Sequence, residues 1–207
     1  MRRFASILAG CALLALVGLS SSLARAAVIH NEGIDGDISG NMAAPTSHTL
    51  AQGSNQVIAT SVSGDREYLH LSLPPSLALS AIVLDAYAGI DGTAFIGVQA
   101  GTTFTETFGS PNVANLLGYS HFGPTAGAGK GVGSDLLDDI STGAGAQGFT
   151  PPLTAPNYTF WIQQTGGNAA TYTLDFIVVP EPSTMCLLGI GGLMTLVAGA
   201  SRRRRTR

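Results

Sequence analysis

The chain has 207 residues, 45% of them hydrophobic and only 11% charged, where an ordinary soluble domain is about one quarter charged. Between residues 28 and 180 only Arg66 and Lys130 stand against twelve Asp and Glu, so this body carries a formal charge of 2 − 12 = −10. That excludes nucleic acid as a partner, because phosphate binding needs clustered cations. With Cys11 and Cys186 both outside it, the body also has no disulfide, thiolate nucleophile or thiolate-bound metal.

Arg2 and Arg3 precede an apolar run over residues 7–19, and Ala24-Arg25-Ala26 is a small-x-small cleavage site. Residues 1–26 therefore predict a signal peptide, read by the secretion machinery. Residues 8–11, "LAGC", match the letters of a lipoprotein box. A lipid-modified cysteine follows the apolar run, however, and here most of the run comes after Cys11.

The body, residues 27–179, opens with "NEGIDGDISGN", which places Glu32, Asp35 and Asp37 in a Gly-rich loop. Calcium takes six to eight oxygens from such carboxylates and loop carbonyls. These three are the candidate metal ligands and calcium the only cofactor the sequence suggests; solvated turn carboxylates are the competing reading. The stretch has neither the length nor the closing Glu of an EF-hand.

Strand signals follow. Residues 67–73, "EYLHLSL", alternate, with Leu69, Leu71 and Leu73 on one face and Tyr68, His70 and Ser72 on the other. Residues 81–87 and 93–100 read as strands around a "GIDG" turn. Residues 102–108, "TTFTETF", put Phe104, Glu106 and Phe108 on one side. From residue 109 to residue 156 the chain is rich in Gly, Ser, Thr and Pro and predicts a long loop excursion, with short helical turns at 112–117 and 134–140. "YTFWIQQ" from Tyr158 and "TYTLDFIVV" from Thr171 are the clearest strands. "TGGN" between them predicts a hairpin, and Tyr172, Leu174, Phe176 and Val178 share a face.

Short strands punctuated by Gly and Pro predict an all-β fold, a single antiparallel β-sandwich, jelly-roll-like. "GDREYLHLSL" and "APNYTFWIQQTGGNAATYTLDFIV" also resemble the early strand and the closing hairpin of bacterial pre-peptidase C-terminal domains. That resemblance implies a noncatalytic β-sandwich attached to exported proteins.

The chemistry-bearing residues form no recognised catalytic pattern. Ser120 in "GYSHF" lacks the final Gly of a nucleophile elbow. His30, His48, His70 and His121 show no metal-ligand spacing. "GAGKGVG" from Gly127 shares only its composition with a phosphate loop. The single Trp161 stacks on a sugar ring if its face is outward and joins the core if inward. The sequence leaves its face open.

Pro180-Glu181-Pro182 then leads into residues 182–201, which carry no charge. As a helix, 20 residues at about 1.5 Å each span about 30 Å, a hydrocarbon core. A membrane span is expected over about 183–201. Arg202, Arg203, Arg204 and Arg205 follow, a cytoplasmic basic anchor by the positive-inside rule, which leaves the body outward. The three elements in order, over residues 180–207, resemble a PEP-CTERM sorting signal. The resemblance implies recognition by an exosortase, a membrane-embedded cysteine transpeptidase that cuts near Pro-Glu-Pro. It also implies a bacterium that makes extracellular polysaccharide. The expectation is an exported noncatalytic protein, held at the inner membrane by its C-terminal helix until processing and then at the cell surface or in the matrix. The competing expectation is a carbohydrate- or calcium-binding module of that polysaccharide matrix.

Overall fold

The computed structural model describes residues 26–90, 92–124, 130–154 and 156–181. Residues 1–25 of the expected signal peptide, Asp91, Pro182, the expected membrane span and Arg202, Arg203, Arg204 and Arg205 lie outside the described residues. Among the described residues nine strands run in chain order: β1 Ala27–Asn31, β2 Thr46–Thr49, β3 Gly53–Ser61, β4 Arg66–Ser72, β5 Leu77–Gly89, β6 Ala94–Ala100, β7 Gly118–Phe122, β8 Asn157–Gln164 and β9 Ala170–Pro180. Two short helices join them, α1 Glu32–Asp35 and α2 Leu137–Ser141, with a 3-10 turn at Val113–Asn115.

The strands form two sheets, a four-stranded one ordered β1-β3-β9-β5 and a five-stranded one ordered β2-β4-β8-β6-β7. Beside β5, residues 133–136 make a vestigial further strand. Gly133 and Leu136 donate to the Leu84 and Ile82 carbonyls, and Asp135 pairs with Val83. With that strand, β3-β9-β5 facing β4-β8-β6-β7 is a jelly-roll arrangement. The sandwich is not wholly antiparallel: β1 and β2 are appended at the edges, parallel to β3 and β4. Each reaches its neighbour through long connections, as a parallel pair requires.

Alternation drives the assembly. On β9, Tyr172, Leu174, Phe176 and Val178 are all buried, and across the sandwich Leu69, Leu71, Phe160 and Ile162 meet them. The rings of Phe160 and Phe176 touch edge to face at 5.4 Å between centroids. This contact also corrects the expected hairpin. β8 pairs with β4 and β6, β9 pairs with β3 and β5, and residues 165–169 cross from one sheet to the other. Two strands with strong apolar faces bury more by opposing those faces than by lying side by side in one sheet.

Two further expectations change. Residues 102–108 are not a strand, and within the 109–156 excursion lies β7, on the edge of the five-stranded sheet. Residues 101–117 instead fold over the outer face of that sheet. There Tyr68, Phe104, Leu116 and Trp161 form a second apolar cluster. The helix α2 closes the side of the sandwich between β5 and β7, with Leu137 and Ile140 in the main core.

Candidate functional site

The sorting junction is continuous with the sandwich. Val178 is 1% exposed and pairs with Gly53 on β3 and Leu79 on β5. Pro180, the first residue of Pro-Glu-Pro, is the last residue of β9 and sits opposite Leu77. Proline lacks an N–H and is suited to a strand end. The next N–H, of Glu181, donates to the Ser76 carbonyl at 2.9 Å. Ser76 holds φ 68, the left-handed region that a non-glycine residue rarely adopts. It lies in the tight connection from β4 to β5, where Leu77 N–H donates to the Pro74 carbonyl. Thus two of the three motif residues are tied to the body, and the third, Pro182, lies outside the described residues.

The candidate calcium ligands do not gather around one point. Glu32 spends both oxygens on backbone N–H groups, Oε1 on Ile38 at 3.0 Å and Oε2 on Thr60 at 2.6 Å. It thereby pins the loop after β1 to β3. Asp35 accepts from Asn31 N–H at 2.8 Å, and Asp37 is exposed. Among the described residues no three His, Cys, Asp or Glu side chains converge as a metal site requires. Burial, partly offset by its two backbone hydrogen bonds, raises the Glu32 pKa.

Trp161 is 4% exposed although it points to the outer side of its sheet. Phe95, Phe104 and Tyr68 surround it, with centroids at 5.0, 5.7 and 6.2 Å. At this burial the ring has no open face for a sugar. The covering segment, 101–117, is Thr-rich in sequence, and only its two phenylalanines hinted at that cover.

A shallow groove opens beside this cluster. Its volume is about 430 Å³, and Asn41, Met42, Arg66, Tyr68, Thr107 and Phe108 line it. The Arg66 guanidinium lies 4.3 Å from the centre of the Phe108 ring, which is 50% exposed. Lys130, the body's other cation, is paired with Asp139 at 3.3 Å.

Sequence spacing also missed two pairings. The rings of His30 and His48, on β1 and β2 of opposite sheets, lie 5.3 Å apart. Burial, with the neighbouring His30 as a lesser cause, lowers the His48 pKa. Glu67 lies inside the core at 0% exposure and accepts from the Tyr172 hydroxyl. Its other oxygen has no hydrogen-bond partner among the described residues. Burial first, then the charges of Glu32, Asp65 and Asp37, pushes its pKa well above the ordinary value. Alternation alone places Glu67 on the leucine face of β4, a signal present in the sequence. His70 behaves as its polar face implies, between Ser47 Oγ at 3.1 Å and Asn157 Oδ1 at 3.0 Å.

Compared with known proteins, residues 178–205 match the PEP-CTERM protein-sorting motif. No curated protein matches the chain. The match begins within β9 and runs through the uncharged segment into the arginines. The chain is thus an exported protein whose β-sandwich passes directly into a PEP-CTERM motif, the signal by which an exosortase sorts its substrates.

Proposed function

We propose that this is a noncatalytic protein of the cell surface or extracellular matrix, delivered by secretion, held outward at the inner membrane by its C-terminal segment and cut by an exosortase near Pro180-Glu181-Pro182. The observation that carries this reading is the sorting motif that begins in the last core strand. Two carboxylates, Asp175 and Asp135, support it further, because both are committed to structure. Asp175 accepts from Ser54 Oγ and Asn55 N–H at 2.6 and 2.9 Å, and Asp135 accepts from Ile82 and Leu137 N–H at 3.0 and 2.9 Å.

The test is the intact mass of the exported protein beside a variant with Pro180, Glu181 and Pro182 all changed to Ala. The wild type is expected to end within or next to the motif, while the variant stays full-length in the membrane. Identical C-termini would refute processing at the motif. Hydrolysis of glycan, peptide or ester substrates by the purified protein would refute the noncatalytic role.

A second reading, a carbohydrate-binding module of the polysaccharide matrix, draws on the Arg66–Phe108 groove. A half-exposed aromatic ring, a cation and an amide suit a sugar bearing a carboxylate. Saturable binding to the producing cell's own polysaccharide, lost in Arg66→Gln and Phe108→Ala, would favour it over a purely structural role.

A further inference from the structure

The two ends of the sandwich differ in chemistry. At one end, beside the 101–117 segment with its single acid Glu106, the loops at 50–52, 73–76 and 151–154 contain no charged residue and hold Pro74, Pro75, Pro151 and Pro152. Pro75, Ser76 and Thr154 are exposed there. At the other end, the loops at 32–45 and 62–65 carry Glu32, Asp35, Asp37 and Asp65. Both ends of the described chain leave from the uncharged side. β1 begins opposite Asn55, and β9 stops beside Leu77.

The sorting motif emerges in the middle of this neutral face. Pro180 is held opposite Leu77, and Glu181 is bonded to the Ser76 carbonyl. On the other side of β5, Leu153 pairs with Leu79 through both backbone hydrogen bonds, each 2.9 Å. An extended residue covers about 3.3–3.6 Å. An enzyme that grips Glu181 and Pro182 therefore stands within one or two residues of Pro75 and Ser76. It can avoid them only by peeling β9 away, which would draw Val178 out of the main core at the cost of buried apolar area.

We infer that this uncharged end, built by residues 74–77 and 151–154, is a second contact surface for the exosortase, used together with the motif itself. The inference rests on the sorting function proposed above. The chemistry of the face suits an enzyme at a membrane. A body of formal charge −10 meets an anionic bilayer least unfavourably with its acidic end turned away. Prolines give the face a fixed shape, so less ordering is lost on contact.

The experiment uses the full chain, co-expressed with the exosortase of the producing organism, and reads the fraction processed against time. Ser76→Asp with Thr154→Glu places charge on the exposed face. It is expected to slow processing by about tenfold, since charge buried without a partner at an interface is costly. Val62→Glu with Ser63→Asp does the same on the exposed loop at the opposite end and is expected to leave the rate unchanged. A flexible six-residue Gly-Ser insertion between Val179 and Pro180 is expected to restore the rate of the Ser76→Asp, Thr154→Glu chain, because the enzyme then reaches the motif without touching the face. Equal rates for the two charged variants would overturn the inference. So would a slow rate that survives the insertion, the outcome expected if the face lies on lipid. The triple-alanine motif variant separates the two failures: if it is processed like wild type, the sorting function itself is wrong.

Discussion

Glu67 is the residue whose environment departs furthest from its chemistry. It shares the inward face of β4 with Leu69 and Leu71, and its folded-state pKa is raised by burial and then by the nearby acids. The folded chain therefore keeps a proton that the unfolded chain releases above the ordinary value of 4.5. The stability this gives is complete below that value and is lost as pH rises toward the folded pKa. Glu32 and Asp65, also raised by burial, act in the same direction. The melting temperature is expected to fall as pH rises above 4.5 toward the folded-state pKa of Glu67, with a clearly smaller slope in Glu67→Gln. Equal slopes in thermal melts of the two proteins would show that Glu67 does not govern the trend. Tyr172→Phe removes the partner of a buried carboxyl and is expected to cost about 1–3 kcal/mol, read by denaturant unfolding. Trp161 gives a spectroscopic prediction. As the only tryptophan, 4% exposed, it is expected to emit at short wavelength and resist quenching by iodide. Glu67 was visible on the leucine face of its strand; the burial of Trp161 was not, because a segment distant in sequence covers it.

Among the elements, β4, β5, β6, β8 and β9 were legible, β1, β2, β3 and β7 were not, and the partners of the legible strands were not. Alternation marks which residues of a strand face together, so β4, β6, β8 and β9 could be read from side chains alone. Pairing depends on what each apolar face meets, and the meeting of Phe160 with Phe176 across the sandwich turned an expected hairpin into a crossover. β7 escaped notice because "GYSHF" is short and lies in Gly-rich sequence. Its fit to α2 nevertheless depends on one glycine: a Cβ on Gly118 would collide with the Ile140 carbonyl. Gly118→Ala is therefore expected to destabilise the protein by about 1–3 kcal/mol through overpacking, measured by urea unfolding. Gly92 lies in an open turn with no atom near the added Cβ, and Gly92→Ala is the control, expected to change stability little.

At the scale of the whole molecule, charge and topology agree. Four acids lie in segments at one end, and the sorting motif leaves from the other, beside the uncharged loops at 50–52, 73–76 and 151–154. Glu32 holds backbone N–H groups with both oxygens, and its acidic neighbours do not converge with it on a common point. The melting temperature is accordingly expected to be the same in calcium and in chelator. A rise of several degrees with calcium would restore Glu32, Asp35 and Asp37 as a metal site.

The sequence by itself determined that this protein is exported and the class of its fold. Charge, apolar runs and Pro-Glu-Pro are local properties, readable one segment at a time, and strand alternation repeats every two residues. Only the tertiary structure decided which strands oppose each other, that Trp161 is covered, that His30 meets His48, and that the sorting motif starts inside the last core strand. Those outcomes depend on long-range packing, in which each face is buried by residues tens of positions away, and no local pattern records that choice.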